Sequence, residues 1–309
     1  MTRRLGRTLY LDLGGGPTST LLLAGSGRSG TTWLAEVLNH DNAYRYLFEP
    51  SHPEHSRYAG GLPSRPYGRP GSDDPGLEKL ARAVVLGKAR DRWTDQYNRK
   101  LMARRRLVKD IWLNLLLGWL AEAYPRLPIV LVLRHPCAVA DSQFNTQWGW
   151  RADPAQFLGQ PALMQDHLEP YRALLAGQPD PFHDHVVTWC VETLVPLRAL
   201  GQGRVLVAFY EQLWSEPERE LRRVFAHAGR PWKPKVLKAL ELPSAVSRPD
   251  GTITMGRSPI ESWRRTVSEE RMKRADEILG SFGLDGIYRA SSSMPLVSAD
   301  DVLTRLSTG

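Results

Sequence analysis

Residues Leu21 to Leu34 read LLLAGSGRSGTTWL: an apolar run, a glycine-rich turn, and a helix that starts near Thr31. Glycines permit such a turn, successive backbone N–H groups converge in it, and the helix N-terminus adds partial positive charge. The stretch is therefore an anion site by construction. Gly25 and Gly30 have the spacing of a nucleoside-triphosphate loop, yet the lysine that such a loop needs directly after its second glycine is Thr31 here. The basic residue is instead Arg28, two positions ahead of Gly30. A guanidinium there suits a bridging or transferable anionic group better than β- and γ-phosphates, which argues against ATP as a donor.

Working outward, short β-like runs alternate with longer helical ones. The strands are expected at Thr20 to Ala24, Arg45 to Phe48, Leu107 to Lys109, Ile129 to Leu133 and Val205 to Phe209. The helices are expected at Thr32 to Asn39, Leu77 to Arg104, Leu113 to Ala123, Ala138 to Asn145, His183 to Leu200, Pro217 to Ala228 and Glu269 to Ser281. This alternation predicts an α/β fold, three layers with a parallel sheet flanked by helices. With 309 residues, 42% of them hydrophobic, the chain is long enough for one sizeable core, so a single domain over 1–309 is expected. A Pro/Gly/Arg-rich insertion occupies about 51–76, and a Ser-rich, mobile tail is expected from about 291, with a short helix at Ala299 to Leu306.

No apolar stretch approaches the roughly 20 residues that a membrane-crossing helix needs. Arg3, Arg4 and Arg7 precede the apolar run at Leu21 to Ala24, but Asp12 and the triplet Gly14 to Gly16 intervene, so no secretory signal is read there. The two cysteines, Cys137 and Cys190, form no disulfide framework, and no Asn-x-Ser/Thr site occurs. A cytoplasmic protein is expected. The net charge of +8 points to an anionic partner. Nucleic acid is set aside, because the basic residues are spread along the chain without a recognised binding signature.

A second anchor lies in Ile129 to Phe144, IVLVLRHPCAVADSQF: a buried strand ending at Arg134, a turn through His135 and Pro136, and a helix carrying Ser142. A strand end followed by two helical turns can bring a guanidinium and a hydroxyl round one phosphate.

The Arg28-Ser29-Gly30-Thr31-Thr32-Trp33 run resembles the 5′-phosphosulfate loop of sulfotransferases that use 3′-phosphoadenosine 5′-phosphosulfate (PAPS), and the Arg134 and Ser142 pair resembles their 3′-phosphate motif. The resemblance extends along most of the chain and favours the carbohydrate branch. Tyr46 to Pro50, YLFEP, is similar to that branch's Phe-Glu-Pro segment. Leu107 to Ile111, LVKDI, resembles its next strand, with Lys109 at the basic position. Val205 to Glu218 is similar to a Tyr-Glu-Asp segment, with Gln212 in place of the usual Asp, and Ser262 to Arg265 resembles a Trp-Arg segment.

What the resemblance implies is a P-loop-like sulfotransferase architecture and sulfuryl transfer from PAPS to a hydroxyl, leaving adenosine 3′,5′-bisphosphate, with no metal required. Arg28 stabilises the bridging oxygen and is catalytic. Ser29, Gly30, Thr31 and Thr32 hold the 5′-phosphate, and Trp33 walls the cofactor or packs its helix. Arg134 and Ser142 bind the 3′-phosphate, Tyr210 lies near the adenine, and the loop from Arg257 covers the 3′-phosphate. The general base is first Glu49, at a strand end facing the cleft, with an ion pair to a neighbouring arginine as its structural reading; His52 and Asp110 are the fallbacks. Asp110 also suits a cap for the helix near Trp112, and His135 a turn residue before Pro136. The acceptor is a small molecule or glycan, either a carbohydrate or an alcoholic or glycosylated natural product, walled by the insertion and by Trp148 and Trp150. The alternative is an ATP-dependent kinase on the same loop scaffold.

Overall fold

A computed structural model describes residues 10–145, 151–200, 205–240 and 258–303. Five strands make one parallel sheet: β2 (Thr20–Ala24), β3 (Tyr44–Phe48), β5 (Arg105–Asp110), β6 (Ile129–Leu133) and β7 (Val205–Phe209). Their spatial order is β3-β5-β2-β6-β7. Two further short strands, β1 (Leu11–Asp12) and β4 (Met102–Ala103), pair in parallel beside it. The fold is the expected one, a parallel sheet between helical layers.

Every residue of β6 is buried, because the sheet is covered on both faces. Ile129, Leu131 and Leu133 face one cluster, together with Leu22 and Ala24. Val130 and Val132 face the other, with Leu21 and Leu23. The second layer holds α1 (Thr31–Leu38), α6 (Tyr210–Ser215) and α7 (Pro217–His227). Against the first pack α2 (Pro75–Val85), α3 (Leu117–Ala123), α4 (Pro136–Phe144), α5 (Pro181–Ala199) and α8 (Glu269–Ser281). Cys137 on α4 and Cys190 on α5 are both free thiols buried in that cluster. Further along, Val297, Ala299 and Val302 join the same core.

The helix expected over Leu77 to Arg104 is corrected: α2 ends at Val85 and turns follow. The reason is tertiary. Arg45, fully buried on β3, donates to the carbonyls of Gly87 and Ala89 at 2.6 Å each, and to both carboxylate oxygens of Asp95 at 2.9 Å. It also pairs with Asp12, which Arg106 engages in turn. Backbone that delivers two carbonyls sideways to one guanidinium cannot spend them in a helical ladder. The turn is completed at Gly87, whose φ of +65° suits glycine. Leu113 to Ala123 is likewise split, with a tight turn over Asn114–Leu116 ahead of α3.

In-register pairing brings the C-terminal ends of the strands to one edge: Ala24 beside Asp110 and Leu131, Phe48 beside Lys109, and Leu133 beside Phe209. That edge of an open parallel sheet is where ligands bind, and each anchor read from the sequence leaves from it.

Candidate active site

The loop between β2 and α1 is a cradle that its own residues dictate. Gly25 has φ +148°, and a Cβ on it would stand 2.4 Å from the carbonyl oxygen of Val132. Gly30, φ +92°, would put a Cβ 2.4 Å from the ring of Tyr210. Arg28 itself is left-handed at φ +72°, an uncommon conformation for a residue with a side chain. Gly30 at the N-cap of α1 has no side chain to offer, and among the described residues no side chain accepts from the first amides after it. Thr31 and Thr32 are buried there. The Ser29 hydroxyl is buried too and has no partner among the described residues.

Two side chains brace the loop from outside. Asn114 Oδ1 accepts from the Gly25 amide at 2.9 Å, and Gln143 Nε2 donates to the Gly27 carbonyl at 2.7 Å. Both residues escaped the sequence reading; the only signal for Gln143 was its place next to Ser142.

Arg28, Ser142 and Arg134 meet. Arg28 Nε donates to Ser142 Oγ at 3.0 Å, and Arg134 Nη1 donates to the Arg28 carbonyl at 2.9 Å. Arg134 Nη2 donates to the Pro259 carbonyl, its guanidinium lies 4.4 Å from the Tyr210 ring centroid, and its buried Nε has no partner among the described residues. Tyr210 therefore sits beneath Arg134 and against Gly30. Trp33 is buried and stacks on Trp214 at 5.3 Å, with its edge toward Tyr210, so in this structure it packs the α1 and α6 layer. Arg257, Trp148 and Trp150 lie outside the described residues.

His135 opens α4: its Nδ1 accepts from the Cys137 amide, and its Nε2 faces the Arg289 carbonyl at 3.1 Å. A carbonyl only accepts, so Nε2 carries the hydrogen. Burial pulls the imidazole down to about 3, which leaves it neutral. The ring stacks on buried Trp263 at 4.3 Å. Behind it, Glu211 accepts from the His135 amide and from the Tyr288 hydroxyl, fixing the corner from which Arg134 leaves.

Glu49 follows directly on β3, and its φ of +44° turns it out of the strand. Its Oε1 is ion-paired with Lys109 Nζ, and its Oε2 lies 3.4 Å from the indole nitrogen of Trp112. The partner is thus a lysine, where the sequence suggested an arginine. A carboxylate offers about four acceptor positions, so two remain for a proton or hydroxyl. Trp112 carries Arg65 on its face at 4.7 Å, and Arg65 is ion-paired with buried Glu192 of α5. His52 lies edge-on to Trp93 and Trp112, and burial lowers its pKa. Asp110 is fully enclosed. It accepts from the Ser51 amide and hydroxyl and from the Trp112 amide, while burial raises its pKa to about 6. Those bonds tie the insertion and the turn at Trp112 to the end of β5.

The model of the sulfotransferase family matches residues 21–234 of this chain. No curated protein matches it. Among solved structures, it is similar to a sulfotransferase domain from the curacin biosynthetic pathway, at 15% identity and TM-score 0.43, over 96% of this chain and 97% of that one. It is also similar to mouse sulfotransferase SULT7A1 complexed with PAP, at 14% identity and TM-score 0.46, over 98% and 93%. A third likeness is to sulfotransferase STF9 from Mycobacterium avium, at 13% identity and TM-score 0.42, over 88% and 76%.

Proposed function

Because the chain belongs to the sulfotransferase family, we propose that it transfers a sulfuryl group from PAPS to a hydroxyl of a carbohydrate or of an alcoholic or glycosylated natural product, closest to the family's carbohydrate branch. The observation that carries this reading is the meeting of Arg28, Arg134 and Ser142 at the edge of a glycine loop whose helix begins on Gly30, with no side-chain cap there. Two anion anchors that close together suit a donor with a phosphosulfate at one end and a 3′-phosphate at the other. The Ser29 hydroxyl and Arg134 Nε, without partners among the described residues, supply further donors.

In this reading the acceptor oxygen attacks sulfur in line as the bond from sulfur to the phosphate oxygen breaks, and adenosine 3′,5′-bisphosphate leaves. Glu49 takes the acceptor's proton, oriented by Lys109 and Trp112. Arg28 and the loop amides stabilise charge on the leaving phosphate. Tyr210 supports the adenine, and Arg257 covers the 3′-phosphate. The whole of 1–309 serves as one domain, with the 51–76 insertion contributing to the acceptor wall, and the protein works in the cytoplasm. Among the described residues no helix is long and apolar enough to cross a membrane.

Calorimetric titration with adenosine 3′,5′-bisphosphate beside magnesium-ATP tests the donor before any acceptor is known. Tight binding of the bisphosphate alone is the expected result; preference for magnesium-ATP would return the loop to the kinase reading.

A further inference from the structure

The Gly27 carbonyl can only accept, so the Gln143 group 2.7 Å from it is the amide nitrogen, and the orientation of that side chain is fixed. Gln143 Oε1 then faces His185 Nδ1 at 2.8 Å. An amide oxygen also only accepts, so His185 carries its hydrogen on Nδ1. Gln143 and His185 are 5% and 2% exposed, which shields the relay from competing water. Burial also draws the His185 pKa down to about 4, so the ring stays a neutral donor near neutrality.

The relay acts on one peptide group. In a trans peptide the C=O and the following N–H point in opposite directions. Pulling the Gly27 carbonyl toward Gln143 on α4 therefore aims the Arg28 amide away from that helix. It also holds Arg28 in its left-handed conformation, φ +72°, a state that needs outside support. The same helix α5 that carries His185 carries Glu192, which grips Arg65 against Trp112 beside Glu49. One helix thus stands behind both the loop and the carboxylate.

We infer that Gln143, held by His185, is a positioning residue that sets the peptide between Gly27 and Arg28 so that the Arg28 amide faces the donor's anionic group. The inference rests on the reading of residues 25–30 as the phosphosulfate cradle.

Its test is Gln143→Glu, which keeps the shape and replaces the donor by a carboxylate facing a carbonyl. At about pH 8 this variant should bind adenosine 3′,5′-bisphosphate at least about tenfold more weakly than the unsubstituted protein. Near pH 6 a buried Glu is largely protonated and can donate again, so the difference should shrink to about threefold or less. Gln143→Met, which has no donor at either pH, should stay weak at both and serves if the charged variant does not fold. Circular dichroism at both pH values checks the fold. Equal affinity of Gln143→Met and the unsubstituted protein would overturn the inference, as would a Gln143→Glu deficit that is the same at both pH values. Failure of the unsubstituted protein to bind the bisphosphate would instead strike the cradle reading itself.

Discussion

Arg28 Nε donates to Ser142 Oγ at 3.0 Å, joining two residues 114 positions apart. Arg134 closes the arrangement from behind through the Arg28 carbonyl. The two proposed anion anchors are thus one bonded unit, and their contributions to binding should not add. In a double-mutant cycle of Arg28→Ala and Ser142→Ala, read by bisphosphate affinity, we expect a coupling of about 1–2 kcal/mol. Strict additivity would mean that the contact has no part in binding.

Arg134 has two bonds to carbonyls and an aromatic face beneath it, and its Nε has no partner among the described residues. Arg134→Ala should weaken adenosine 3′,5′-bisphosphate by about 10- to 100-fold while changing adenosine 5′-monophosphate far less. Equal losses for the two nucleotides would remove the 3′-phosphate role.

Glu49→Gln keeps the side chain's shape and its contact with Trp112 but gives up the proton acceptor. Bisphosphate affinity should stay within about threefold, and kcat should fall by about 10²- to 10⁴-fold. Since Glu49 is ion-paired with Lys109, some destabilisation is expected as well, so the comparison belongs at a temperature where both proteins are folded. Surviving turnover would move the base elsewhere, with His52 next in line, because Asp110 is enclosed by its structural bonds.

Acid should loosen the fold through its buried histidines. His135 and His185 are drawn down from 6.5 to about 3 and about 4. Below pH 6.5 the unfolded chain takes up protons that the folded one refuses, so stability present above that pH is lost as it falls toward 4 and then 3. Asp110 runs the other way: raised from 3.8 to about 6, it favours the folded state below 3.8, and that contribution disappears as pH rises through 6. Among these three groups, it offsets one of the two histidines between about pH 6 and 4, and the loss from the other remains. His135→Asn retains an acceptor for the Cys137 amide but does not titrate. Its urea midpoint should drop less than that of the unsubstituted protein between about pH 7 and pH 5. An identical drop would assign the acid sensitivity to other groups.

Elements whose burial pattern is local were legible in the sequence. All five strands of the main sheet lie where apolar runs predicted them, because strands covered on both faces need no partner to look apolar. The loop at 25–30 was legible because its glycines answer to steric demands at fixed positions. The segment after Val85 was not, since its apolar spacing continues as a helix would while its carbonyls are drawn to Arg45, some forty residues earlier in the chain. Asp110 reads as a cap near Trp112, and the Trp112 amide does donate to it, whereas only the fold shows Ser51 enclosing it from the insertion. Gln143 and Asn114 stand at ordinary helical and turn positions, and their meaning depends on which peptide they touch.

The buried thiols of Cys137 and Cys190 turn the wall formed by α4 and α5 into something that can be timed. Burial pushes both thiols up, so neither offers a thiolate to a reagent while the core is closed. They sit on α4, which also carries Ser142 and Gln143, and on α5, which also carries His185. An alkylating agent can reach them only when these helices part, so the rate of labelling is a clock for local opening of that wall. A nucleotide that bridges Arg28, Arg134 and Ser142 would slow the clock, and the extent of slowing would report how tightly the helices are held, with no need to know the acceptor.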